Sequence, residues 1–377
     1  MHLSTVRHSH RSRWQRSFVG AALVVVALTT VSGTALAGEH ADVTVTRTNL
    51  VANRDGFGAA KVDPNLVNAW GISKFPTSPV WVSDNGADKT TLYTRGTAAD
   101  PAATTIVPLV VGVPGGPTGQ IANATNEFNI ANNAAARFIF VNEAGELYGW
   151  NQASGTAAEL KGAVDGAVFK GLAQVNRDGK SYLLAANFTG ERIEVFDGTW
   201  AHVDWGNAFT VRHLPQGFSP FNVQTLTDAT GQAHVFVAYA KHEPGAKDET
   251  AGRNLGLVVE YTTSGKFVRR FERDGSNAPW GLAYAPKTWG SHAGELLVGQ
   301  FGNGRIETYD PESGEHTGSL RGADGHKLVI DGLWALMAGD ATAGGTDTIL
   351  FTAGPNGEVD GLFGVLSAQV SNDQDDD

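Results

Sequence analysis

One pattern returns six times along this chain and sets what it can fold into. An aromatic or polar residue precedes Gly or Asn and an aliphatic residue. A second segment of β-branched and aromatic residues follows and ends in a small polar pair at a turn. A third segment closes on Tyr, Trp or Phe. The units are WGIS (70–73), VWVSDN (80–85) and TTLYTRG (90–96); FNIA (128–131), RFIFVNEAG (137–145) and ELYGWN (146–151); KGLAQV (170–175), SYLLAANFTG (181–190) and RIEVFDG (192–198); FNVQTL (221–226), AHVFVAYAKH (233–242) and, after an insertion, GLVVEYTTSG (256–265); WGLAYA (280–285), ELLVGQFGNG (295–304) and RIETYDPESG (305–314); DGLWAL (331–336), DTILFTAGPNG (347–357) and GLFGVLSA (361–368). Short alternating runs bounded by Gly, Asn and Asp read as strands, and helical stripes are hard to find.

A period of roughly 40 to 60 residues with about four strands per unit is the mark of a propeller blade. KFVRRFE (266–272) and HTGSLRG (316–322) supply fourth strands. The fold expected is therefore all-β, a six-bladed β-propeller over residues 38–370. The free strand VTVTRTNLV (43–51) is expected to complete the sixth blade and close the ring, leaving no open edge. Of the 377 residues 47 are Gly. A Gly after the aromatic lets each innermost strand approach its neighbours at the crowded centre. Asn85-Gly86, Asn303-Gly304 and Asn356-Gly357 read as tight-turn dipeptides.

The first 37 residues read as a secretory signal peptide. Arg7, Arg11, Arg13 and Arg16 precede an apolar run (17–33), and Ala35-Leu36-Ala37 is a small-x-small cleavage site. Export to the periplasm or the extracellular space is expected. Loss of four arginines and no acidic residue would take the formal charge from −11 to −15. That disfavours nucleic acid and, after cleavage, a membrane surface, because both need a basic face. The chain has no cysteine, so disulfides and thiol chemistry are excluded. The end, SNDQDDD (371–377), reads as a solvated acidic tail.

Several stretches go beyond generic propeller grammar: DPNLVNAWGI (63–72), VWVSDNG (80–86), PFNVQTL (220–226), NAPWGLAYAP (277–286), GELLVGQFGNGRIETYDP (294–311) and DGLWALMAGD (331–340). In this order they resemble a family of exported bacterial six-bladed propeller proteins of undefined activity, some with surface-sorting tails. The resemblance covers nearly the whole chain after the leader and implies the propeller, not a reaction. A looser similarity is to gluconolactonase-like hydrolases and NHL-repeat propellers. In those lactonases a divalent cation sits in the central channel on Glu, Asn and Asp; this first blade lacks their Glu-Gly-Pro-type opening motif.

Propellers place ligands at one end of the channel, on loops entering the innermost strands. By pattern Asn68, Asn126, Asn129, Lys170, Asn222, Asn277, Trp280 and Asp331 fall there. Asn68, Asn126, Asn222, Asn277 and Trp280 are expected to line a ligand seat. Asn68, Asn222 and Asp331 are a candidate set for a divalent cation such as Ca²⁺, which takes oxygen ligands. Alternatively, Lys170 and Asp331 would form a structural ion pair across the channel. Polar residues at the ends of the second strands, among them Asn85, Asn142-Glu143, Asn187 and Asn356, read first as turn residues. The insertion KHEPGAKDETAGRN (241–254) is a solvated loop, a lid or a Ca²⁺ loop. No nucleophile elbow, zinc-helix motif or phosphate loop is present.

Two functions stand at this level. The first is a binding or scaffold module recognising a small molecule, glycan or protein on one face, with a channel filled by packed side chains. The second is a metal-assisted hydrolase or lyase for a lactone, ester or sugar derivative, with Asp331 or His242 as acid or base and Lys170 beside them. An oxidoreductase with a bound redox cofactor has little support in the sequence.

Overall fold

In the computed structural model, residues 43–131, 133–272 and 274–370 are described. The leader and the acidic tail lie outside them. Within the unit His40–Asp377, strands of predominantly alternating or continuous apolar character form six sheets.

Blade 1 runs from the axis outward as Ala69–Ser73, Val80–Asp84, Lys89–Thr94 and Thr105–Ile106. Blade 2 is Pro117–Ala122, Phe138–Asn142, Glu146–Trp150 and Glu159–Ala163; blade 3 is Phe169–Arg177, Lys180–Asn187, Arg192–Asp197 and His202–Val203. Blade 4 is Phe218–Thr227, Ala233–Lys241, Gly256–Tyr261 and Phe267–Phe271, and blade 5 is Pro279–Tyr284, Leu296–Gln300, Ile306–Tyr309 and His316–Ser319. Blade 6 is Leu333–Ala338, Thr348–Ala353 and Leu362–Val370, and its fourth strand is Val43–Ala52, antiparallel to the last. The chain's first described strand thus completes its last blade, as expected. Each innermost strand packs on the next, and Leu333–Ala338 returns to Ala69–Ser73, so the ring is closed.

Alternation along the strands divides the core. In Ala233–Lys241, Val235, Val237 and Tyr239 face blade 3, whereas Phe236 and Ala238 face blade 5. In blade 1, Val80 and Val82 face blade 6 and Trp81 faces blade 2. A period of two puts successive side chains on opposite sheet faces, so both faces of every blade are buried. Each fully buried aliphatic or aromatic side chain contributes about 1.5–3 kcal/mol.

The second unit needs a correction. Its innermost strand is Pro117–Ala122, not FNIA (128–131). Phe128 and Ile130 pack in the layer between blades 2 and 3, where Gly149 leaves room for Ile130, and Phe128 meets Trp200 edge-on at 5.3 Å. FNI has the composition of an inner strand, but PTGQ supplies the residue-Gly pair that the axis requires.

Candidate functional site

Every innermost strand breaks register once, at its aromatic- or polar-Gly pair or the residue that replaces it. The breaks lie between Ala69 and Ile72, Pro117 and Gln120, Phe169 and Gly171, Pro220 and Asn222, Pro279 and Leu282, and Leu333 and Leu336. A bulge of this kind re-aims a side chain. The residues at the break are Trp70, Thr118, Lys170, Phe221, Trp280 and Trp334. Four of the six are aromatic, and they fill the axis. Trp70 stacks on Trp334 with centroids 3.6 Å apart, Phe301 stacks on Trp334 at 3.9 Å, and Trp280 meets Trp334 edge-on at 5.8 Å. Phe188 and Phe221 complete this buried plug.

Lys170 is the exception. Its ammonium lies 5.0 Å from the Trp70 ring centre and only 1 % of the side chain is exposed. It donates to Glu143 Oε1 at 2.5 Å and to Asp248 Oδ1 at 3.3 Å. From Glu143 a chain of hydrogen bonds crosses three blades. Asn85 Nδ2 donates to Glu143 Oε2, Asn68 Nδ2 donates to Asn85 Oδ1 and to Glu358 Oε2, and Trp334 Nε1 donates to Asn68 Oδ1. Asn68 holds a left-handed backbone (φ 48°), which Asn tolerates better than most residues.

The insertion 241–254 reaches this cluster with Asp248 and Glu249. It is anchored by Gly252 N donating to Asn277 Oδ1 at 2.6 Å and by Thr250 N donating to Lys241 O. Burial lowers the Lys170 pKa, but Glu143, Asp248 and Glu249 outweigh it, so the net shift is upward and Lys170 is a fixed cation. Burial, reinforced by Glu358 and Asp248, pushes the Glu249 carboxyl up to about 7 despite Lys170. Burial raises Glu358 as well, opposed by the Asn68 hydrogen bond and by Lys170. One lysine thus faces four carboxylates, of which Glu249 can take up or release a proton near neutrality.

His242 opens the insertion. It is buried, donates from Nδ1 to Glu243 O at 3.0 Å, and packs 4.9 Å from Phe188 at the edge of the aromatic plug. Its Nε2 faces Glu191 Oε1 at 3.5 Å.

Further along the innermost strands the axis holds a cavity of about 330 Å³. Lys74, Gln120, Gln174, Gln224 and Thr225 line it with polar groups, and apolar residues of every blade, from Ile72 and Leu172 to Trp280 and Leu336, line the rest. The amides are fixed from behind: Gln120 Nε2 donates to Gly71 O and Trp81 O, Gln224 Nε2 to Leu282 O, and Gln174 Nε2 to Asn123 Oδ1. Lys74 pairs with Asp340 and donates to Thr342 Oγ1.

The residues singled out in the sequence scatter over these places. Asn222 and Trp280 line the cavity. Asn68 and Lys170 belong to the carboxylate cluster, and Asn277 anchors the insertion beside it. Asn126 is exposed on the connection between the first two strands of blade 2, outside the axis, because FNIA is not an inner strand. Asp331 is exposed and accepts from Asn356 N at 2.8 Å; the carboxylate partners of Lys170 are Glu143 and Asp248, not Asp331. The set Asn68, Asn222 and Asp331 shares no hydrogen-bond partner. Asn222 Oδ1 accepts from Val223 N while its Nδ2 donates to Trp280 O, and Asn68 Oδ1 is held by Trp334. Among the described residues no three His, Asp or Glu side chains converge as metal ligands.

Glu358, Gln120, Gln174 and Gln224 were not singled out. The Gly-Gln pair at 119–120, matching the Gly-led inner strand KGLAQV, was the available signal. Asn142 and Asn187 act as turn residues, with Asn142 Oδ1 accepting from Ala144 N and Asn187 Oδ1 from Gly190 N.

No family model matches the chain. Two uncharacterized proteins of Acanthamoeba polyphaga mimivirus are each 28% identical to it. One match spans 345 residues, 87% of this chain and 82% of the viral protein; the other spans 337 residues, 84% of each. Among solved structures, a streptogramin B lyase has a TM-score of 0.49 at 10% identity, covering 87% of this chain and 98% of its own. A putative gluconolactonase has a TM-score of 0.39 at 16% identity, covering 67% and 89%.

Proposed function

We propose that the protein is an exported binding module that seats one small polyhydroxylated molecule, of the size of a single sugar ring, in the axial cavity. The observation that carries this reading is the mixed lining of the cavity. Three glutamine amides and Thr225 on blades 2, 3 and 4 stand among apolar residues contributed by all six blades, Ile72 and Leu336 among them. Gln224 donates to a backbone carbonyl and Gln174 to Asn123 Oδ1; both are half-buried, and each keeps its Oε1 for a ligand hydroxyl. A volume of about 330 Å³ lies at the lower end of ordinary ligand pockets.

The test is a titration of the full chain with neutral monosaccharides and small polyols, followed by tryptophan fluorescence, since Trp280 lines the cavity. Saturable quenching is expected, and Thr225→Phe, which fills the cavity from a half-buried position, should abolish it while the circular dichroism stays that of the parent. Equal binding by that variant, or no binding by any compound, would sink the reading.

A second reading rests on Glu249. A carboxyl near pKa 7 beside a fixed Lys170 cation is the pairing that acid–base hydrolysis or elimination uses. In that reading Glu249 moves the proton, and Lys170, buried against Trp70, supplies the fixed positive charge beside it. Turnover of lactones, esters or sugar derivatives that disappears in both Glu249→Gln and Lys170→Met would favour it over simple binding.

A further inference from the structure

A chain of formal charge −11 carries a groove lined by four basic residues and no acidic one. It lies at the outer part of blades 3 and 4, has a volume of about 700 Å³, and is lined by Arg177, Arg212, Lys266 and Arg270 with Trp205 and Phe267. No carboxylate lines it. Asp178 pairs with Arg177 at 3.5 Å and Glu272 with Arg270 at 3.0 Å, both from outside the groove. Arg212 and Lys266, both exposed, have no carboxylate partner among the described residues. The aromatic groups are placed for a ligand as well. The Arg177 guanidinium sits 4.7 Å from the Trp205 ring centre, and Phe267 is 51% exposed although it is a large apolar side chain on an outermost strand.

We infer that this groove is a binding site for an anionic oligosaccharide, with carboxylate or sulfate groups on successive sugar units. Two cations unpaired among the described residues, Arg212 and Lys266, stand in one groove beside Arg177 and Arg270, which are partly engaged by Asp178, Glu272 and the Arg212 carbonyl, and such a set suits a ligand with more than one anionic group. Guanidinium forks bind carboxylate and sulfate oxygens in two-point contacts. The exposed Phe267 ring and the Arg177–Trp205 pair offer flat surfaces for the apolar faces of sugar rings. The volume, about twice that of the axial cavity, suits a short oligomer rather than one ring. A long polyanion lying across the surface would meet the acidic remainder of the molecule, and the export expected from the leader places the chain among polysaccharides rather than nucleic acids. The site is separate from the axial cavity and goes beyond the reading above.

The test uses the full chain, its Thr225→Phe form and the double variant Arg212→Gln, Lys266→Gln. Calorimetric titrations are run with an oligogalacturonate, a sulfated oligosaccharide of equal length, a neutral oligosaccharide and a single-stranded oligonucleotide. Saturable binding of either acidic sugar is expected. The affinity should fall as salt rises, since the contacts are exposed, and should drop about tenfold or more in the double variant. Thr225→Phe should leave it unchanged. Preference for the uronate or for the sulfate sorts the two anion sources. Equal binding of the neutral sugar, tighter binding of the oligonucleotide, or an affinity untouched by the double variant would each overturn the assignment. Both substituted residues are exposed, so a melting temperature equal to the parent's is the accompanying check on folding.

Discussion

Lys170 Nζ stands 2.5 Å from Glu143 Oε1, joining the innermost strand of blade 3 to the end of a strand in blade 2. The ammonium is almost wholly buried, whereas the carboxylate is 29 % exposed. Removing one side of such a pair is therefore unequal. Glu143→Gln leaves the buried cation with Asp248, itself 82 % exposed, as its remaining ion pair among the described residues. A loss of about 1–3 kcal/mol in urea unfolding is expected, below the range for a fully buried pair because one side is solvated. Lys170→Met removes the buried charge and keeps an apolar stem against Trp70, so it should cost less. A larger loss for Lys170→Met than for Glu143→Gln would show that the cation holds the cluster together rather than depending on it.

Glu249 sets a pH dependence of definite sign. Its carboxyl is raised in the folded protein from an ordinary value of 4.5 to about 7, by burial first. The folded state therefore binds the proton more tightly than the unfolded chain. Its contribution to stability is fully present below about pH 4.5 and is lost as the pH rises to about 7. Melting temperatures of the parent and Glu249→Gln should coincide near pH 4 and separate above pH 6, with the variant the more stable. A parent that gains stability relative to the variant between pH 5 and 8 would contradict this placement of the carboxyl against Asp248 and Glu358.

The ring and its closure were legible in the sequence because they rest on local rules. Trp-Gly at 70–71 and 280–281 marks inner strands, alternation marks blade faces, and the unpaired strand 43–51 has one open edge to fill. Blade 2 failed for the same reason that blade 1 succeeded. FNIA and PTGQIA both satisfy the local pattern, and only packing decides which reaches the axis. The carboxylate cluster was half legible. Lys170 and the insertion stood out, but their partners Glu143 and Glu358 lie 27 and 188 positions from Lys170 along the sequence, in other blades. Nothing in a one-dimensional pattern sets which acid a ring closure brings to which base, and position alone offers Asp331 only as one alternative partner of Lys170.

The Gly at the bulge is a matter of contact, not of backbone freedom. A Cβ on Gly71 would stand 2.4 Å from Thr118 O, and one on Gly281 would stand 2.4 Å from Trp334 O. Both obstacles are backbone atoms of the next inner strand, which cannot swing aside as a flexible side chain would. Gly71→Ala and Gly281→Ala should each destabilise by about 1–3 kcal/mol or more by forcing two blades apart at the axis. Blade 6 carries Ala335 at the corresponding place, so an alanine is tolerable where the neighbour allows it. Denaturant midpoints decide the matter, and a change below about 0.5 kcal/mol in both variants would mean that the ring relaxes more freely than its packing implies.

Chelation addresses the oxygen set Asn68, Asn222 and Asp331. A hard cation needs several oxygens turned to one point. Here Asn222 Oδ1 accepts from Val223 N, Asn68 Oδ1 accepts from Trp334 Nε1, and Asp331 accepts from Asn356 N in an exposed turn. Freeing these oxygens would cost about three protein hydrogen bonds, each worth about 1 kcal/mol. Treatment of the purified chain with EDTA should therefore shift the melting temperature by less than about 1 °C, and Asp331→Ala should leave both that result and the fold unchanged. The measurement is elemental analysis paired with a thermal scan. Stoichiometric Ca²⁺, Mg²⁺ or Zn²⁺ together with a chelator-induced drop would mean that the amides of Asn68 and Asn222 turn on metal binding. The metal-assisted enzyme would then replace the binding module as the working reading of the axis.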